Sequence, residues 1–419
     1  MKIRTLMLGW EFPPYISGGL GTACYGLTKA MDRLGMPVTF VLPRAMPIRF
    51  IAGEELSDME MSEYYQTGMR HVRLRPIPST LVPYTPGDGR GAGHWYHAKQ
   101  SSATLEAPGN RAIYGPDICA EVQRYAVHVM RVAETEEFDV IHAHDWMTFP
   151  AGIAVAARSG KPLVVQVHST EFDRSGEHVN QYVYDIERHG MHAAKMIIAV
   201  SNYTRNIIIN RYGVPPEKVE VVYNGVEFNG RAEAYYQRPW PDKTVLFLGR
   251  VTMQKGPEYF LFAAKRVLEK MEDVKFVMAG DGDMLYRSIE LAANLGIGHK
   301  VFFTRFLRGA DVDRAYQMAD LYVMPSVSEP FGIAPLEALD NDVPVIISKQ
   351  SGVSEVLRHA LKVDFWDVHE MANKMVAVLK YPPLQMTLRS HGNFEVRKLR
   401  WRDAARRCLE IYEEMLVPA

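Results

Sequence analysis

Residues 328–338 of the chain read SEPFGIAPLEA and contain two glutamates, Glu329 and Glu337, with seven residues between them. The apolar run DLYVMPSV immediately before this stretch indicates a buried β-strand, and the residues that follow it indicate the start of a helix. In open α/β sheets, ligands bind at such junctions, where strands end and helices begin. The stretch therefore predicts an α/β fold with a ligand site that includes two carboxylates.

The same alternation of short apolar runs and amphipathic stretches extends over almost the whole chain. Continuous apolar strands separated by helices are typical of a parallel sheet that is buried on both faces. The predicted strands form two series, at 3–9, 38–42, 71–75, 138–142, 163–168, 196–200 and 219–223, and then at 244–248, 274–279, 300–303, 320–324 and 343–347. The predicted helices lie at 20–35, 119–136, 148–159, 180–194 and 203–212, and then at 257–271, 284–294, 312–319, 333–340 and 352–359. We therefore predict two doubly wound, Rossmann-like domains that face each other across a cleft.

The boundary between the domains is predicted from segment 229–243, which is polar and rich in proline and aromatic residues. The N-terminal domain would span 1–235, and the C-terminal domain would span 236–395. The stretch 394–416 has the pattern of one long amphipathic helix. We expect this C-terminal helix, within 396–419, to cross back onto the N-terminal domain.

Segment 78–118 interrupts the alternation with many prolines and glycines and no clear period. A loop of this length in a compact domain is usually functional or mobile. Its aromatic residues Trp95, Tyr96 and Tyr114 are expected either to stack on sugars or to anchor the insertion to its own domain.

Composition limits the classes of function. The 419 residues carry a formal net charge of −1, which argues against nucleic-acid binding through a global positive field and against a broad basic membrane-binding surface. Cys24, Cys119 and Cys408 have no C-x-x-C spacing, so they indicate neither a zinc site nor a disulfide framework and fit a reducing cytoplasm. No transmembrane segment is expected, because no stretch approaches about 18 apolar residues without a charge. The apolar run at the start is too short for a signal peptide.

A glycine-rich stretch, with Gly18, Gly19 and Gly21, precedes the first predicted helix. Glycine lets a backbone approach a ligand closely, and the start of a helix offers free N–H groups to an anion. A dinucleotide fingerprint is disfavoured because G-x-G-x-x-G from Gly19 would end on Cys24, and because two prolines delay the loop after the strand. A glycine turn without a ligand is the alternative.

Two basic residues, Arg250 and Lys255, follow the first predicted strand of the second domain. Gly256-Pro257 then opens a helix, and proline suits the first helical turn. Cations that converge with a helix N-terminus in a partly dry cleft can bind a diphosphate, whereas isolated surface charges contribute little. The pair predicts a phosphate site at the mouth of the cleft, with an ordinary charged surface loop as the alternative.

Several motifs together point to one family. The combination of GGLG at 18–21, GRVTMQKG at 249–256 and E-x7-E with Pro-Phe-Gly inside resembles glycosyltransferase family 4. VVQVHSTEFDR, IIAVSNYT and VVYNGVE follow in the order expected for this family, so the resemblance covers nearly the whole chain. It implies the GT-B fold, with two Rossmann-like domains around a cleft, and retaining transfer of a sugar from a nucleotide-sugar donor.

The resemblance also implies roles for individual residues. His168, at the end of the predicted strand LVVQVH, would position the donor sugar or stabilise the positive charge that develops on it. Arg250 and Lys255 would stabilise charge on the leaving diphosphate, and Glu329 would accept hydrogen bonds from sugar hydroxyls. Gly18 and Gly19 would contact the diphosphate of the donor, and Glu337 would accept hydrogen bonds from its ribose. The sugar and the phosphates would also receive hydrogen bonds from the backbone N–H groups of Phe331, Gly332 and Ile333.

The implied reaction is a same-face attack in which the leaving diphosphate oxygen accepts the proton of the incoming hydroxyl. Retaining hydrolases instead use two carboxylates and a covalent intermediate, and no carboxylate of this sequence has to act as a nucleophile. No metal is expected. Asp281-Gly-Asp283 lies where aspartate serves as a turn residue or helix cap, and His142 and His144 lack a third ligand at useful spacing.

The start of the chain, with WEFPP and SGGLGT, looks most like bacterial glycogen or starch synthase-type enzymes. This implies glucose transfer from ADP-glucose or UDP-glucose to an α-1,4-glucan, with an oligo- or polysaccharide as acceptor. Ile16 stands where many such synthases have lysine, which leaves the base and the acceptor open. The alternatives are transfer to another acceptor (polysaccharide, sucrose-type or lipid), a nucleotide-sugar epimerase and a catalytically silent nucleotide-sugar-binding protein.

Overall fold

The computed structural model describes residues 2–13, 18–43, 69–79, 118–227 and 239–417. These residues form two sheets in which the strand pairs are parallel. The first sheet contains β1 (Thr5–Leu8), β2 (Val38–Pro43), β3 (Val72–Ile77), β4 (Val140–His144), β5 (Leu163–Val167), β6 (Met196–Ala199) and β7 (Val219–Val221). The second sheet contains β8 (Lys243–Leu248), β9 (Val274–Ala279), β10 (Val301–Arg305), β11 (Leu321–Met324), β12 (Val345–Ser348) and β13 (Leu361–Val363).

Helices connect the strands of each sheet. In the first half they are α1 (Gly19–Arg33), α2 (Ile118–Ala133), α3 (Phe149–Ser159), α4 (Glu171–Ser175), α5 (Gln181–Ala193) and α6 (Asn202–Tyr212). In the second half they are α7 (Pro257–Leu268), α8 (Leu285–Asn294), α9 (Ala310–Met318), α10 (Ala334–Asp340), α11 (Val353–Val356), α12 (Val368–Lys380), α13 (Pro382–Val396) and α14 (Trp401–Leu416). We call each sheet with its covering helices a lobe.

The strand orders are β3-β2-β1-β4-β5-β6-β7 and β10-β9-β8-β11-β12-β13. The central strands are apolar over their whole length because helices cover both faces of the sheet; all five residues of β5, for example, are buried. The chain runs outward in opposite directions from β1 and β4 in the first sheet and from β8 and β11 in the second. Crevices open at the carboxyl ends of such strand pairs. The predicted α/β fold with two doubly wound, Rossmann-like sheets is confirmed.

The prediction of one long helix over 394–416 is wrong. The structure has two helices there, α13 and α14, with a break between Val396 and Trp401. At the break, the N–H of Val226, from the first lobe, donates to the carbonyl of Leu399 at 2.9 Å. In a continuous helix, that carbonyl would accept a hydrogen bond from an N–H of the helix itself. Tertiary contact therefore overrides the amphipathic pattern.

Helix α14 packs on the first lobe, in a buried cluster with β1 and α1 that includes Met7, Leu27 and Ile411. The two helices approach closely at Gly26, where an added Cβ would lie 2.3 Å from the indole of Trp401. The domain limits 1–235, 236–395 and 396–419 stay a prediction.

Several expectations fall on residues outside the described ranges. These are the role of Ile16, the stacking of Trp95, Tyr96 and Tyr114, and most of the linker 229–243. None of the helices in the described part of the chain has the length and apolar composition that crossing a membrane requires.

Candidate active site

The predicted site residues lie where strands of both lobes end, and we call the gap between these strand ends the cleft. In the first lobe, Gly18 is the N-cap of α1 and His168 directly follows β5. In the second lobe, Arg250 follows β8 and Glu329 follows β11. A Cβ atom placed on Gly18 would lie 3.9 Å from Arg250 Nε. The lobes therefore bring a glycine backbone and a guanidinium together across the cleft.

A tight turn after β8 presents the two cations. Residues Met253–Lys255 form one turn of 3-10 helix, and Gly256 then takes a left-handed conformation with φ of 65° before α7 begins. Arg250 donates to Gln254 Oε1 at 3.1 Å, and the carbonyl of Gln254 accepts from Val327 N–H at 2.9 Å. The turn is thus tied to the loop that follows β11.

The carboxylate of Glu329 pairs with the ammonium group of Lys255. The same carboxylate accepts a hydrogen bond from Ser326 Oγ at 3.2 Å, and Glu329 is only 7% exposed. Its backbone N–H donates to the carbonyl of Gln350 at 3.0 Å, which fixes the loop to the segment after β12. Glu329 is therefore a buried charge with a cationic partner, and not a cap on the outer surface.

Residues Phe331 to Ile333 leave a run of backbone N–H groups available. Among the residues that the structure describes, none accepts a hydrogen bond from the N–H of Phe331, Gly332 or Ile333. Gly332 has φ of 103°, a conformation that favours glycine, and a Cβ atom added there would lie 3.2 Å from the side chains of both Glu329 and Val353. Buried backbone N–H groups are rarely unpaired in folded proteins. The run is suited to an anion or to sugar hydroxyl oxygens.

Glu337 lies on α10, one helical turn beyond Ile333. Tyr316 on α9 donates its hydroxyl to Glu337 Oε2 at 2.9 Å. Burial raises the pKa of Glu337, and the nearby carboxylates of Asp313 and Asp340 raise it further. Tyr316 holds the side chain in one place and leaves its other oxygen for a further donor.

His168 is half-buried and contacts the end of β4. Its Nε2 lies 2.9 Å from His144 Nδ1, and its backbone N–H donates to Asp145 Oδ1 at 2.7 Å. Burial lowers the pKa of His168 to about 3 and that of His144 well below its usual value. Both imidazoles are therefore neutral near pH 7, so the ring of His168 offers a hydrogen bond and not a positive charge.

Asp145 was not singled out from the sequence. It holds the backbone of His168 and has φ of 59°, which is unusual for a residue other than glycine. Burial raises the pKa of Asp145 to about 7. In the sequence, Asp145 stands out only because it follows His142 and His144. No sequence pattern indicates that its side chain holds the loop after β5.

Glu11 was also missed, since in the sequence it only interrupts an apolar run. Its carboxylate is buried and accepts a hydrogen bond from the N–H of Gly21 at 3.0 Å. One N–H group in the first turn of α1 is thus already used by the protein. The amides that this helix start can offer to a ligand are those nearer Gly18 and Gly19.

Side-chain hydrogen bonds join the lobes beside the cleft. Ser328 Oγ donates to Asp173 Oδ1 at 2.5 Å and lies 3.0 Å from the hydroxyl of Tyr203. Ser201 Oγ donates to the carbonyl of Pro330 at 2.5 Å. These bonds place the loop that carries His168 against the loop that carries Glu329.

A second contact lies at the start of α6. The carboxylate of Glu355, from the second lobe, accepts hydrogen bonds from the N–H groups of Asn202 at 3.0 Å and Tyr203 at 2.6 Å. A carboxylate at a helix N-terminus satisfies orphan donors and complements the helix dipole. One lobe thus caps a helix of the other.

A buried ionic cluster supports the loop after β5 from behind. Arg174 forms ion pairs with Glu171, at 3.1 Å, and with Glu187. Glu187 also accepts a hydrogen bond from the hydroxyl of Tyr212. All four side chains are almost fully buried. The cluster fixes α4 to α5 and α6, and with them the segment between His168 and Asp173.

Two groups of side chains could be considered for a metal. Asp281 Oδ1 accepts a hydrogen bond from the N–H of Gly282 at 2.8 Å, as a turn-forming aspartate does. Cys24, His144 and His168 form a different group, with one potential ligand atom each, all within 4.8 Å of one another. The sequence did not bring these three together, because they lie on three separate elements.

The arrangement suits a ligand with a diphosphate and a sugar. Two cations and a run of free N–H groups provide donors for phosphate oxygens, which are the strong, charge-assisted kind of hydrogen bond. Two carboxylates, on Glu329 and Glu337, provide acceptors for hydroxyl groups. The neutral ring of His168 lies on the facing lobe.

Comparison with known proteins agrees with this arrangement. A family model described as "Glycosyl transferases group 1" matches residues 234–393, and one described as "Glycosyltransferase Family 4" matches residues 84–229. An uncharacterized glycosyltransferase of Methanocaldococcus jannaschii is 31% identical over 379 residues, covering 86% of this chain and 83% of that protein.

Other relatives carry specific names. A D-inositol 3-phosphate glycosyltransferase of Thermobifida fusca is 28% identical and covers 69% of this chain and 74% of that protein. A glycogen synthase of Mycobacterium tuberculosis is 25% identical and covers 85% of this chain and 80% of that protein. The solved structure of Anabaena HepE in complex with UDP and glucose superimposes with a TM-score of 0.71 at 17% identity, covering 98% of this chain and 100% of that chain. The chain belongs to the family 4 glycosyltransferases and has their GT-B fold.

Proposed function

We propose that the protein transfers glucose, with retention of anomeric configuration, from a nucleoside diphosphate-glucose to a hydroxyl group of an α-glucan. The observation that carries this proposal is the convergence of Arg250, Lys255 and Glu329 with the free N–H groups of 331–333 on one side of the cleft. Cations, amides and a carboxylate in this order match the phosphates and hydroxyls of a nucleotide-sugar.

In the proposed complex, the diphosphate lies between Arg250 and the start of α1. Arg250 and Lys255 neutralise the phosphates, and the amides near Gly18 and Gly19 contact them from the facing lobe. Charge grows on the diphosphate as the glycosidic bond breaks, so donors placed there stabilise the transition state more than the bound substrate.

The sugar lies between Glu329 and His168. Glu329 and the amides of 331–333 bind its hydroxyl groups, and Glu337 accepts from the ribose. The donor sugar would hydrogen-bond to the carboxylate of Glu329, which Lys255 holds in position. The acceptor hydroxyl attacks from the face that the diphosphate leaves, and the leaving oxygen takes its proton. No metal is assigned to this reaction.

The choice of acceptor is supported by the glycogen synthase among the relatives and by the resemblance of the N-terminal segment to that class. A second candidate is a small phosphorylated polyol, because the D-inositol 3-phosphate glycosyltransferase is slightly more similar in sequence, at 28% against 25% identity. The proposed donor is a glucose nucleotide, and the HepE complex with UDP and glucose supports UDP as its nucleotide.

The test begins with donor binding and continues with products. UDP-glucose, ADP-glucose and GDP-glucose are compared by thermal shift, and the stabilising donor is incubated with maltooligosaccharides or with inositol 3-phosphate. Mass spectrometry is expected to find maltooligosaccharides lengthened by one glucose, and proton NMR is expected to find the new linkage in the α configuration.

Each other outcome contradicts a stated part of the proposal. Transfer to inositol 3-phosphate alone would replace the α-glucan by the second candidate. A β linkage would contradict retention. An isomerised nucleotide-sugar without acceptor would indicate an epimerase, and donor binding without turnover would indicate a binding protein.

A further inference from the structure

Three side chains with metal-binding atoms meet at the carboxyl edge of the first sheet. Cys24 lies on α1, His144 ends β4, and His168 follows β5. Their potential ligand atoms lie within 4.8 Å of one another, and Cys24 and His144 are both fully buried. This group is distinct from the Asp281-Gly-Asp283 turn and from the cations of the second lobe.

The group contains a buried polar atom without a partner. His144 Nδ1 contacts His168 at 2.9 Å, but among the residues that the structure describes His144 Nε2 has no hydrogen-bond partner. Buried side-chain polar atoms are paired in the large majority of cases, and the exceptions often mark an ion or a functional site. The second ring nitrogen of His144 is such an exception.

The sulfur and nitrogen atoms that these three side chains offer as ligands favour one class of metal ion. A thiolate and two imidazoles are ligands for Zn²⁺ and similar soft divalent ions, whereas Mg²⁺ prefers oxygen. Around a tetrahedral zinc, ligand atoms lie about 3.3–3.6 Å apart, given metal–ligand distances of about 2.0–2.3 Å. The two ligand atoms that lie farthest apart therefore have to move about 1 Å closer together. Rotation of the side chains can supply this movement.

We propose that Cys24, His144 and His168 bind one soft divalent transition-metal ion, such as Zn²⁺, with a fourth position open toward the cleft. On binding, Cys24 releases its thiol proton to solvent and its sulfur bonds the ion, without any change of oxidation state. His168 is half-buried, so water or a ligand oxygen can reach the fourth position.

Metal binding has a consequence for transfer, and this step rests on the proposed function. An ion that bonds His168 takes its ring nitrogen away from the donor sugar. Zn²⁺ therefore inhibits the enzyme. The inhibition is reversible, because removing the ion restores activity. An enzyme that requires a metal behaves in the opposite way and loses activity when a chelator removes it.

The test uses the full chain after treatment with a chelator and dialysis. Calorimetric titration with ZnCl₂ is expected to give one ion per chain. Titration with Co²⁺ is expected to give a thiolate-to-cobalt charge-transfer band in the near-ultraviolet. Burial raises the pKa of the Cys24 thiol, so binding releases a proton and tightens as pH rises.

Two alanine variants make a matched pair. Cys24→Ala should weaken Zn²⁺ binding at least about 100-fold and abolish the charge-transfer band, since even outer-shell partners change metal affinity by about 10- to 100-fold. Cys408→Ala removes the other fully buried cysteine, which lies on α14 and is not one of the three proposed ligands, and should bind like the unaltered protein. If Cys24→Ala does not fold, His168→Asn should lose binding in its place.

Metal binding and catalysis are read out separately. Equal affinity in Cys24→Ala and Cys408→Ala, or no stoichiometric binding at all, would overturn the site. If binding occurs as expected but Zn²⁺ leaves transfer unchanged, the site stands and the placement of His168 at the donor sugar is what fails.

Discussion

The pairing of Lys255 with Glu329 sets the electrostatics of the cleft at the level of single residues. Both charges come from loops of the same lobe and lie together in a largely buried environment, with side-chain exposures of 21% and 10%. Buried charges in proteins are paired, and Lys255 is the cationic partner of Glu329. In the proposed complex, Lys255 both contacts the phosphates and holds the side chain of Glu329 in place.

Replacement of either cation should lower turnover without unfolding the protein. Arg250→Ala and Lys255→Ala are each expected to reduce kcat by at least about 100-fold, comparable to the loss of one oxyanion-stabilising donor. Lys349→Ala, which removes an exposed ion pair with Asp364 in the same lobe, serves as the control. Steady-state kinetics with circular dichroism checks the result, and turnover within a few-fold of the control would reject the assigned roles.

Single residues also show what the sequence could and could not predict of the site. Arg250, Lys255 and Glu329 could be proposed from the sequence because each lies in a short motif at a strand end. The bond between Ser328 and Asp173 joins positions 155 residues apart, and no local pattern reports such a pairing. Asp145 and Glu11 were missed for the same reason, since their partners are backbone N–H groups supplied by other elements.

Among the elements, the short helix α4 depends on its buried ionic cluster more than on its own length. Five residues are too few for a stable isolated helix. A capping box between Thr170 and Asp173 starts it, and Arg174 connects it to α5 through Glu187. The loop after β5 is held in place by these contacts.

Arg174→Met should therefore be strongly destabilising. It leaves two buried carboxylates without their cation, which costs about 3–5 kcal/mol in the free energy of unfolding. Arg211→Met removes an exposed pair with Glu177 in the same lobe and should cost at most about 1 kcal/mol. Chemical denaturation of both variants measures the difference.

The deficit of Arg174→Met should also depend on pH. Burial raises the pKa of Glu187 and Arg174 opposes that rise, so the variant has a folded-state pKa further above the unfolded value of about 4.5. A raised carboxyl pKa gives stability that is present in acid and lost as pH rises. The deficit should be smaller at pH 5 than at pH 8, and equal deficits at both would argue against a buried unpaired carboxylate.

Most strands and helices were predictable because buried elements have apolar residues at regular positions in the local sequence. All seven strands of the first sheet were expected within a few residues, since most of them are continuous apolar runs. Strand β13 and helices α4 and α12 were not expected; β13 and α4 have only three and five residues, which show little pattern. The break between α13 and α14 was missed because contact with Val226, in another part of the chain, creates it.

For the molecule as a whole, contacts between the lobes set how the cleft closes. Ser328 and Ser201 each donate a hydrogen bond across it, to Asp173 and to Pro330. Both bonds lie beside the proposed sugar position. Closure excludes water from the reacting atoms, which limits hydrolysis of the donor.

The double variant Ser201→Ala/Ser328→Ala should favour the open arrangement. Loss of two hydrogen bonds of about 1 kcal/mol each shifts the equilibrium between closed and open arrangements by about thirtyfold. We expect a larger radius of gyration in X-ray scattering and a higher ratio of donor hydrolysis to transfer. Ser354→Ala/Ser390→Ala removes hydroxyls that bond only within the second lobe and is the control. An unchanged ratio would mean that these serines do not govern closure.

The chain passes from one lobe to the other twice, once after Val226 and once between α13 and α14, and the hydrogen bond from Val226 to Leu399 holds the two crossings side by side. Two adjacent tethers permit rotation about a common hinge axis but resist sliding and twisting. Helix α14 follows the second lobe in the sequence but forms part of the first lobe's core. A chain that has been synthesised only through the second lobe therefore still lacks one wall of the first, and the first lobe can complete its core only once α14 has been made.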